Sequence, residues 1–331
     1  MARGAARRHV ARVIRPVSEA DSERIAAFFA AAHERDSVVG AISAEHWRRF
    51  VAAPQNRGGR DFRLALEGDE IAGVATPSLR DHETPRIRHF RIVVAPERRR
   101  RGIASALLRH IAEMDAPQAV LLQCLCPERW EAMAGFLEAS GFAVLDNELE
   151  MLCDEANADM PELRHELTIR AVKETAPLAA ALADIHNRAY AGTPSFVRLT
   201  GAEIAALFGE EATVLAAELN GVPVGFCHLE LGRNESWVES VAVEPSRQRR
   251  GIGASLVAAA LAEAARRAGP AVRLSVSDRN AAAYVVYRRA GFRVVAKSAR
   301  YRAERDTVMA ALMGRAKKYA PRPDRAYRGS S

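Results

Sequence analysis

Arg247, Gln248, Arg249 and Arg250 stand directly before Gly251 and Gly253 in the stretch SRQRRGIGASL, residues 246–256. Arginine next to glycine at a helix start suits the holding of an anion. The first N–H groups of a helix have no partner within it, and the macrodipole makes that end positive. Glycine lets backbone approach an anion with no Cβ in the way. Arg249 and Arg250 add charge, and a pyrophosphate is the natural ligand. Two other phosphate loops are excluded by spelling. No Lys-Ser/Thr pair follows Gly253, and Leu256 stands where G-x-G-x-x-G needs its third glycine. On pattern alone, a plain strand-to-helix turn is the competing reading.

Such a loop needs a strand before it and a helix after it. SWVESVAV, ending at Val243, is predicted as the strand and residues 252–268 as the helix. Upstream, ELTIRAV reads as a strand and residues 175–190 as a helix, with Leu178, Leu182 and Ile185 at helical spacing. TVLAAEL and VPVGFCHLEL flank Asn220-Gly221, which predicts a hairpin with a type I′ turn. Downstream come a strand in AVRLSVS, a helix over 280–290, a strand in FRVVAKSARYR and a last strand in DTVMAALM.

The same plan occurs twice. Val94-x-Pro96 and Gly102 precede Val243-x-Pro245 and Gly251 by 149 residues, and Gly141-Phe142 precedes Gly291-Phe292 by 150. A period of that length is too long for a solenoid and marks a duplicated domain. In the first copy LEGDEIAG is the hairpin turn, HFRIVVA the fourth strand, 103–114 a helix, AVLLQCLC a strand and 128–139 a helix. The acidic, weakly apolar segment 153–166 is expected as the linker. The predicted division is 1–152, 167–313 and a basic tail, 314–331.

Bulk composition narrows the class. The 331 residues predict two soluble domains, and no apolar run reaches the roughly 18 residues of a membrane span. The net charge of +7 sits at the ends: residues 1–15 carry five arginines, and 314–331 carry six basic residues against Asp324. The body between is mildly acidic, which argues against a nucleic-acid-binding fold. Cys124, Cys126, Cys153 and Cys227 lack metal-ligand spacing and predict reduced thiols, no metal site and a cytoplasmic setting. Monomer and homodimer are both open.

Val243-x-Pro245 followed by Gln248-x-x-Gly251-x-Gly253 resembles the acyl-CoA-binding motif of the GNAT superfamily, the acyl-CoA-dependent N-acyltransferases. RNAAAYVVYRRAGF, residues 279–292, is similar to the helix and turn downstream of that motif. The first copy matches through Arg99-x-x-Gly102-x-Ala104 and Gly141-Phe142. The resemblance is therefore to tandem GNAT proteins. It implies an α/β fold of two domains, each a mixed, mostly antiparallel sheet flanked by helices, with the fourth and fifth strands splayed to admit the pantetheine arm. It implies acetyl-CoA as co-substrate. Val241, Ala242 and Val243 would offer backbone groups to the pantetheine and thioester. Gln248, Arg249, Arg250, Gly251, Ile252, Gly253 and Ala254 would cradle the pyrophosphate, and Asn280 and Tyr284 would contact the CoA arm. Asn280 is equally a preferred helix N-cap.

Acyl transfer from a thioester to an amine needs a base, because an alkylammonium of pKa about 10.4 is no nucleophile. The thiolate that leaves benefits from a proton. Glu239 suits the role of base. Strand alternation places it on the face of Val241 and Val243, where a carboxylate is costly unless paired or open to a cleft. A salt bridge at an edge is the competing reading. Tyr287 matches the family's general acid, and the competing reading is a core aromatic on the face of Ala283 and Ala290. His228 is the substitute base. The acceptor site is expected along 186–207, with His186, Tyr190, Phe196 and Arg198, for a small-molecule amine or a peptide amine. A non-catalytic acyl-CoA sensor and a ribosome- or RNA-associated modifier are the alternatives. The first copy is expected to be silent: Phe90, Leu137 and Trp130 occupy the places of Glu239, Tyr287 and Asn280, while Arg98 to Arg101 keep the means to hold an anion.

Overall fold

The protein is described here by a computed structural model covering residues 12–80, 86–114, 120–155, 167–173, 175–193, 196, 198–209, 211–232 and 235–319. Most of the expected linker and most of both tails lie outside these residues. Contacts divide the chain into two compact units: Met1–Leu125 with Arg129–Ala143 and Tyr301–Ser331, and Cys126–Glu128 with Val144–Arg300. Among the described residues no helix is long and apolar enough to cross a membrane.

Unit 1 opens with β1 (Arg12–Pro16), α1 (Ser22–Arg35) and α2 (Ala44–Ala52). It continues through β2 (Arg63–Glu67), β3 (Glu70–Ala75), β4 (Ser78–Arg80), β5 (Arg86–His89), β6 (Ile92–Val94), α3 (Ile103–Glu113), β7 (Val120–Pro127) and α4 (Glu131–Ala139). β1, β2, β3 and β6 form one antiparallel sheet, whereas β5 pairs with β4 and, in parallel, with β7. The strand expected in HFRIVVA is thus two strands. It changes partners at Phe90–Arg91, where the Phe90 N–H donates to the Gln123 carbonyl and the Arg91 carbonyl accepts from Thr76. Trp47, Phe50 and Phe62 fill one end of the unit, with Trp47 and Phe62 rings 5.6 Å apart.

Unit 2 comprises β8 (Ala143–Cys153), β9 (Leu167–Val172), α5 (Ala176–Tyr190), α6 (Gly201–Ala205), β10 (Ala212–Leu219) and β11 (Val222–Glu230). β12 (Ser236–Val243), α7 (Ile252–Arg267), β13 (Val272–Ser277), α8 (Ala281–Arg289) and β14 (Arg293–Glu304) follow. Its strands lie in the order β14-β8-β13-β12-β11-β10-β9. Asn220 and Gly221 both take positive φ, 51° and 77°, as a type I′ turn requires. One apolar cluster, built on Leu256, Val257, Leu261, Leu274 and Phe292, lies under α7 and α8. A second, of Leu182, Ile185, Ile204, Phe226 and Ala242, lies under α5 and α6.

Two features depart from the sequence expectation. Residues 144–152, expected within the first domain, instead give unit 2 an inner strand, antiparallel to β13. Residues 301–313, expected within the second domain, group with unit 1. A strand carries the same alternation whichever sheet takes it, so periodicity cannot reveal the exchange. The second departure is DTVMAALM, which is part of helix α9 (Arg305–Tyr319) and not a strand. Val308 and Leu312, four residues apart, are both buried, which is helical spacing.

Candidate active site

The site grows from the way β12 ends its pairing with β13. The parallel ladder holds Ser236 to Val272, Trp237 to Arg273 and Val238 to Leu274, and goes no further although β12 runs on to Val243. The two strands therefore part after Val238. On the other side of β12 the register slips at the same point: Leu229 faces Val238 and His228 faces Ser240, leaving Glu239 without an opposite residue. Glu239 is a β-bulge at the fork of a splayed strand pair. Bulges bend a strand and re-aim its side chains, and they concentrate beside active sites.

The bulge corrects the alternation expected for Glu239. Val238, not Glu239, packs with Val241 and Val243 in the cluster under α7, and Ala242 belongs to the cluster under α5. Glu239 is exposed at its tip. Its carboxyl is nevertheless pushed up to about 7, first by burial and then by the charges of Glu230 and Glu148. Glu239 is not itself among the residues that wall the cavity beside Glu230. A carboxyl at about 7 is a useful base at neutral pH. His228 is 4% exposed, and burial pushes its imidazole down to about 4 despite a hydrogen bond to the backbone of Leu207. It is a far weaker proton acceptor than Glu239.

Tyr287 projects from α8 into the core, 8% exposed, with its ring edge-on to Phe292 at 5.8 Å. Burial pushes its phenol well above the ordinary range, and the neighbouring Tyr190 and Cys227 add to that. Tyr190, the last residue of α5, comes from the cluster on the opposite side of the sheet. Its hydroxyl donates to the Val241 carbonyl at 3.0 Å and accepts from the Val241 N–H at 3.3 Å, with Ser240 Oγ at 3.4 Å. The backbone groups of Val241 that were expected to be offered to pantetheine are thus engaged by a side chain. His186 stacks against Tyr190 at 4.7 Å. Phe196 is half-buried and Arg198 exposed, and neither lines the cavity beside Glu230. That cavity, of about 580 Å³, is walled by Leu207, Phe208, His228, Glu230, Glu235 and Trp237. Most of these lie past the segment expected to hold the acceptor. Their signal in the sequence was only their place at the end of a hairpin strand and the start of the next.

The loop before α7 has a built shape. Arg249 and Gly251 take positive φ, 58° and 86°, with Arg250 between them outside that region. Alternating handedness turns successive N–H groups toward one point and makes an anion-binding concavity. A Cβ on Gly251 would meet nothing within 4 Å, and one on Gly253 would meet only Val243 Cγ2 at 3.8 Å, so the space in front of the helix is open. Among the described residues neither Arg249 nor Arg250 has an ion-pair partner. The helix start therefore fits a pyrophosphate. Gln248 Nε2 donates to the Val243 carbonyl at 3.1 Å and its N–H to the Pro245 carbonyl, so its side chain braces the turn. Asn280 is the N-cap of α8, with Oδ1 accepting from the Ala283 N–H at 3.1 Å. Tyr284 is half-buried against the α7 cluster. The four cysteines are buried and in no disulfide, and burial pushes Cys227 up to about 12.

In unit 1 the corresponding loop keeps the shape, with Arg100 at φ 63° and Gly102 at φ 79°. Its charge is spent elsewhere. Arg98 pairs with Glu67 at 3.0 Å, Arg99 with Asp36 at 2.7 Å, and Arg101 with Glu67 at 3.6 Å. Phe90, Trp130 and Leu137 are all buried, and the Arg99 guanidinium lies 5.9 Å from the centre of the Trp130 ring.

Comparison with known proteins identifies the family and the fold. Residues 179–292 match the acetyltransferase (GNAT) family, and residues 58–144 match an acetyltransferase (GNAT) domain. A mycothiol acetyltransferase of Clavibacter sepedonicus is 30% identical over 223 residues, spanning 64% of this chain and 71% of that protein. Another, of Sanguibacter keddieii, is 27% identical over 295 residues, spanning 84% of this chain and 91% of its own. A solved tandem GNAT protein from the clavulanic acid biosynthesis pathway superposes with a TM-score of 0.70 at 17% identity, covering 89% of this chain and 99% of its own. A GCN5-related N-acetyltransferase from Sphaerobacter thermophilus gives 0.69 at 23% identity, covering 89% and 96%.

Proposed function

The chain belongs to the acetyltransferase (GNAT) family, as a tandem GNAT protein of mycothiol-synthase type, and on that premise we propose that unit 2 transfers an acetyl group from acetyl-CoA directly to a primary amine. The observation that carries the reading is Glu239: a bulged carboxyl at about 7, at the fork where β12 and β13 part.

Acetyl-CoA, when bound, supplies an activated acetyl group and a thiolate leaving group. The N–H groups of residues 249–254 hold its pyrophosphate, and Arg249 and Arg250 neutralise the charge. Glu239 takes the proton of the acceptor ammonium, which frees the lone pair that forms the new C–N bond. The Val241 N–H, once the Tyr190 hydroxyl yields it, would stabilise charge on the acetyl oxygen. Tyr287 gives its phenolic proton to the departing sulfur, and the second proton shed by the acetylated nitrogen restores it by way of water. Burial keeps the phenol protonated at neutral pH and also makes its proton harder to give.

The cavity beside Glu230 supports a cationic acceptor. It brings Glu211, Glu230 and Glu235 together with Leu207, Phe208, Leu231 and Trp237, which suits an ammonium carried on a partly apolar body. The likeness to mycothiol acetyltransferases supports a small-molecule amine over a peptide. The test is a screen of small primary amines with acetyl-CoA, following release of the free thiol. Turnover that depends on Glu239 upholds the reading. Tight binding of acetyl-CoA with no transfer to any amine refutes it.

A further inference from the structure

Duplication has left the same cavity in both units with different chemistry. The wall of the unit 2 cavity includes Ala206, Gly209, Ala212, His228 and Trp237. Unit 1 has a cavity of about 490 Å³ whose wall includes Arg57, Arg60, Arg63, Leu79 and Arg88. Each residue of the first set lies 149 positions after its counterpart in the second, which is the repeat offset of the two glycine loops. The cavity is therefore one inherited feature, and four of its five shared positions differ by the presence of arginine.

The change of charge is large for so small a space. Among the described residues the unit 2 cavity is lined by three carboxylates and by no Lys or Arg. Among the described residues the unit 1 cavity has four arginines against Asp61 and Glu113, an excess of two positive charges before His110 is counted. Two of its arginines, Arg88 and Arg63, are held in place by the backbone around them. Arg88 is 2% exposed, and its Nη1 donates to the Ile111 carbonyl at 2.9 Å and the Met114 carbonyl at 3.2 Å. Arg63 Nη1 donates to the Arg60 and Phe62 carbonyls. Arg57, Gly58 and Gly59 take positive φ in succession, 49°, 67° and 70°. A non-glycine residue held there costs free energy, and such strain gathers at ligand sites.

Like charges gathered in a half-enclosed space repel one another, and an anion relieves that repulsion. Guanidinium groups present planar forks that match the paired oxygens of carboxylate and phosphoryl groups. Phe90 and Leu137 leave unit 1 no proton donor or acceptor at the places of Glu239 and Tyr287, which favours binding over acetyl transfer there. We propose that unit 1 binds a small organic anion with two or more negative charges, a phosphate ester or a polycarboxylate, between Arg57, Arg60, Arg63 and Arg88. The proposal does not depend on acetyl transfer by unit 2.

The test is calorimetric titration of the full chain with citrate and, separately, with inorganic pyrophosphate. It compares wild type, Arg60→Gln/Arg63→Gln and Arg249→Gln/Arg250→Gln, because the loop before α7 is a second anion site. Arg60 is exposed and Arg63 half-exposed, and matching unfolding midpoints establish that the variants are folded. If the double change lowers the midpoint, Arg60→Gln alone replaces it. The expected result is binding of at least one of the two probes with a Kd raised tenfold or more by Arg60→Gln/Arg63→Gln, threefold or more by Arg60→Gln alone, and unchanged by Arg249→Gln/Arg250→Gln. Binding of citrate alone identifies a carboxylate ligand, and of pyrophosphate alone a phosphoryl ligand. No binding of either probe, or loss of affinity only when Arg249 and Arg250 are changed, overturns the proposal.

Discussion

Replacing Glu239 by glutamine keeps the shape of the bulge and removes the base. With a pKa of about 7, the carboxylate is about 90% ionised at pH 8 and about 1% at pH 5. A lost general base costs about 10²–10⁴-fold in rate. The ratio of wild-type to variant kcat/KM should therefore be about 10²–10⁴ at pH 8 and fall toward one, by about a hundredfold, as pH drops to 5. Taking the ratio at each pH cancels the ionisation of the acceptor amine, which acts on both proteins alike. Stability moves the opposite way. The folded pKa lies above the ordinary 4.5, so the folded state prefers the protonated carboxyl. The stability this gives is fully present below about 4.5 and is lost as pH rises through about 7. At pH 8 the wild type carries a penalty that glutamine lacks. Because the tip of Glu239 is exposed, screening reduces that penalty to on the order of 1 kcal/mol, or about 2–4 °C in Tm. The variant should be more stable and nearly inactive at pH 8. A rate ratio below about fivefold at pH 8, or one that does not change with pH, would refute the assignment.

Tyr287→Phe keeps the ring packed on Phe292 and should lower kcat about 10²–10⁴-fold with little change in KM for acetyl-CoA; an unchanged kcat across pH 6–9 would sink the acid role. Tyr190→Phe strips the hydroxyl from the Val241 N–H and carbonyl, leaving them without that partner in the free protein at a cost of about 1–3 kcal/mol. Its Tm should fall while acetyl-CoA binds up to about tenfold more tightly by calorimetry, since the bound arm satisfies both groups; weaker binding would contradict the use of Val241 as a backbone contact. Residues 160–331 expressed alone should be insoluble, because β8 lies between β14 and β13 in the sheet of unit 2, and a soluble, acetyl-CoA-binding fragment would count against that role for β8.

The sequence was most readable where a residue type has one physical use. Asn220-Gly221 dictates its turn, and Gly251 before an apolar-periodic run dictates a strand, a loop and a helix. Glu239 was visible as a carboxylate out of place on an apolar strand. Its aim was not, because alternation assumes an unbroken ladder and the bulge at that residue is set by how β11 and β12 pair. The break at Phe90–Arg91 escaped for the same reason: an apolar run does not disclose that its two halves bond different neighbours. DTVMAALM reads equally well as a buried strand or a helix, and the burial of Val308 with Leu312 decides it. The cavity walls were the least legible part. Leu207, Trp237, Arg57 and Arg88 are ordinary residues of loops and strand ends until folding gathers them.

Of two similar loops, only the one before α7 is assigned to catalysis. Gly253 and Ala104 occupy the same place in the two repeats, 149 residues apart, each in the first turn of its helix. The most direct measurement is the initial rate of acetyl transfer by full-length Gly253→Trp and Ala104→Trp, alongside their unfolding midpoints. Gly253→Trp should abolish transfer and acetyl-CoA binding, while Ala104→Trp should retain the wild-type rate. Wild-type transfer by folded Gly253→Trp, or loss of transfer in folded Ala104→Trp alone, would place the chemistry in unit 1 and contradict the assignment.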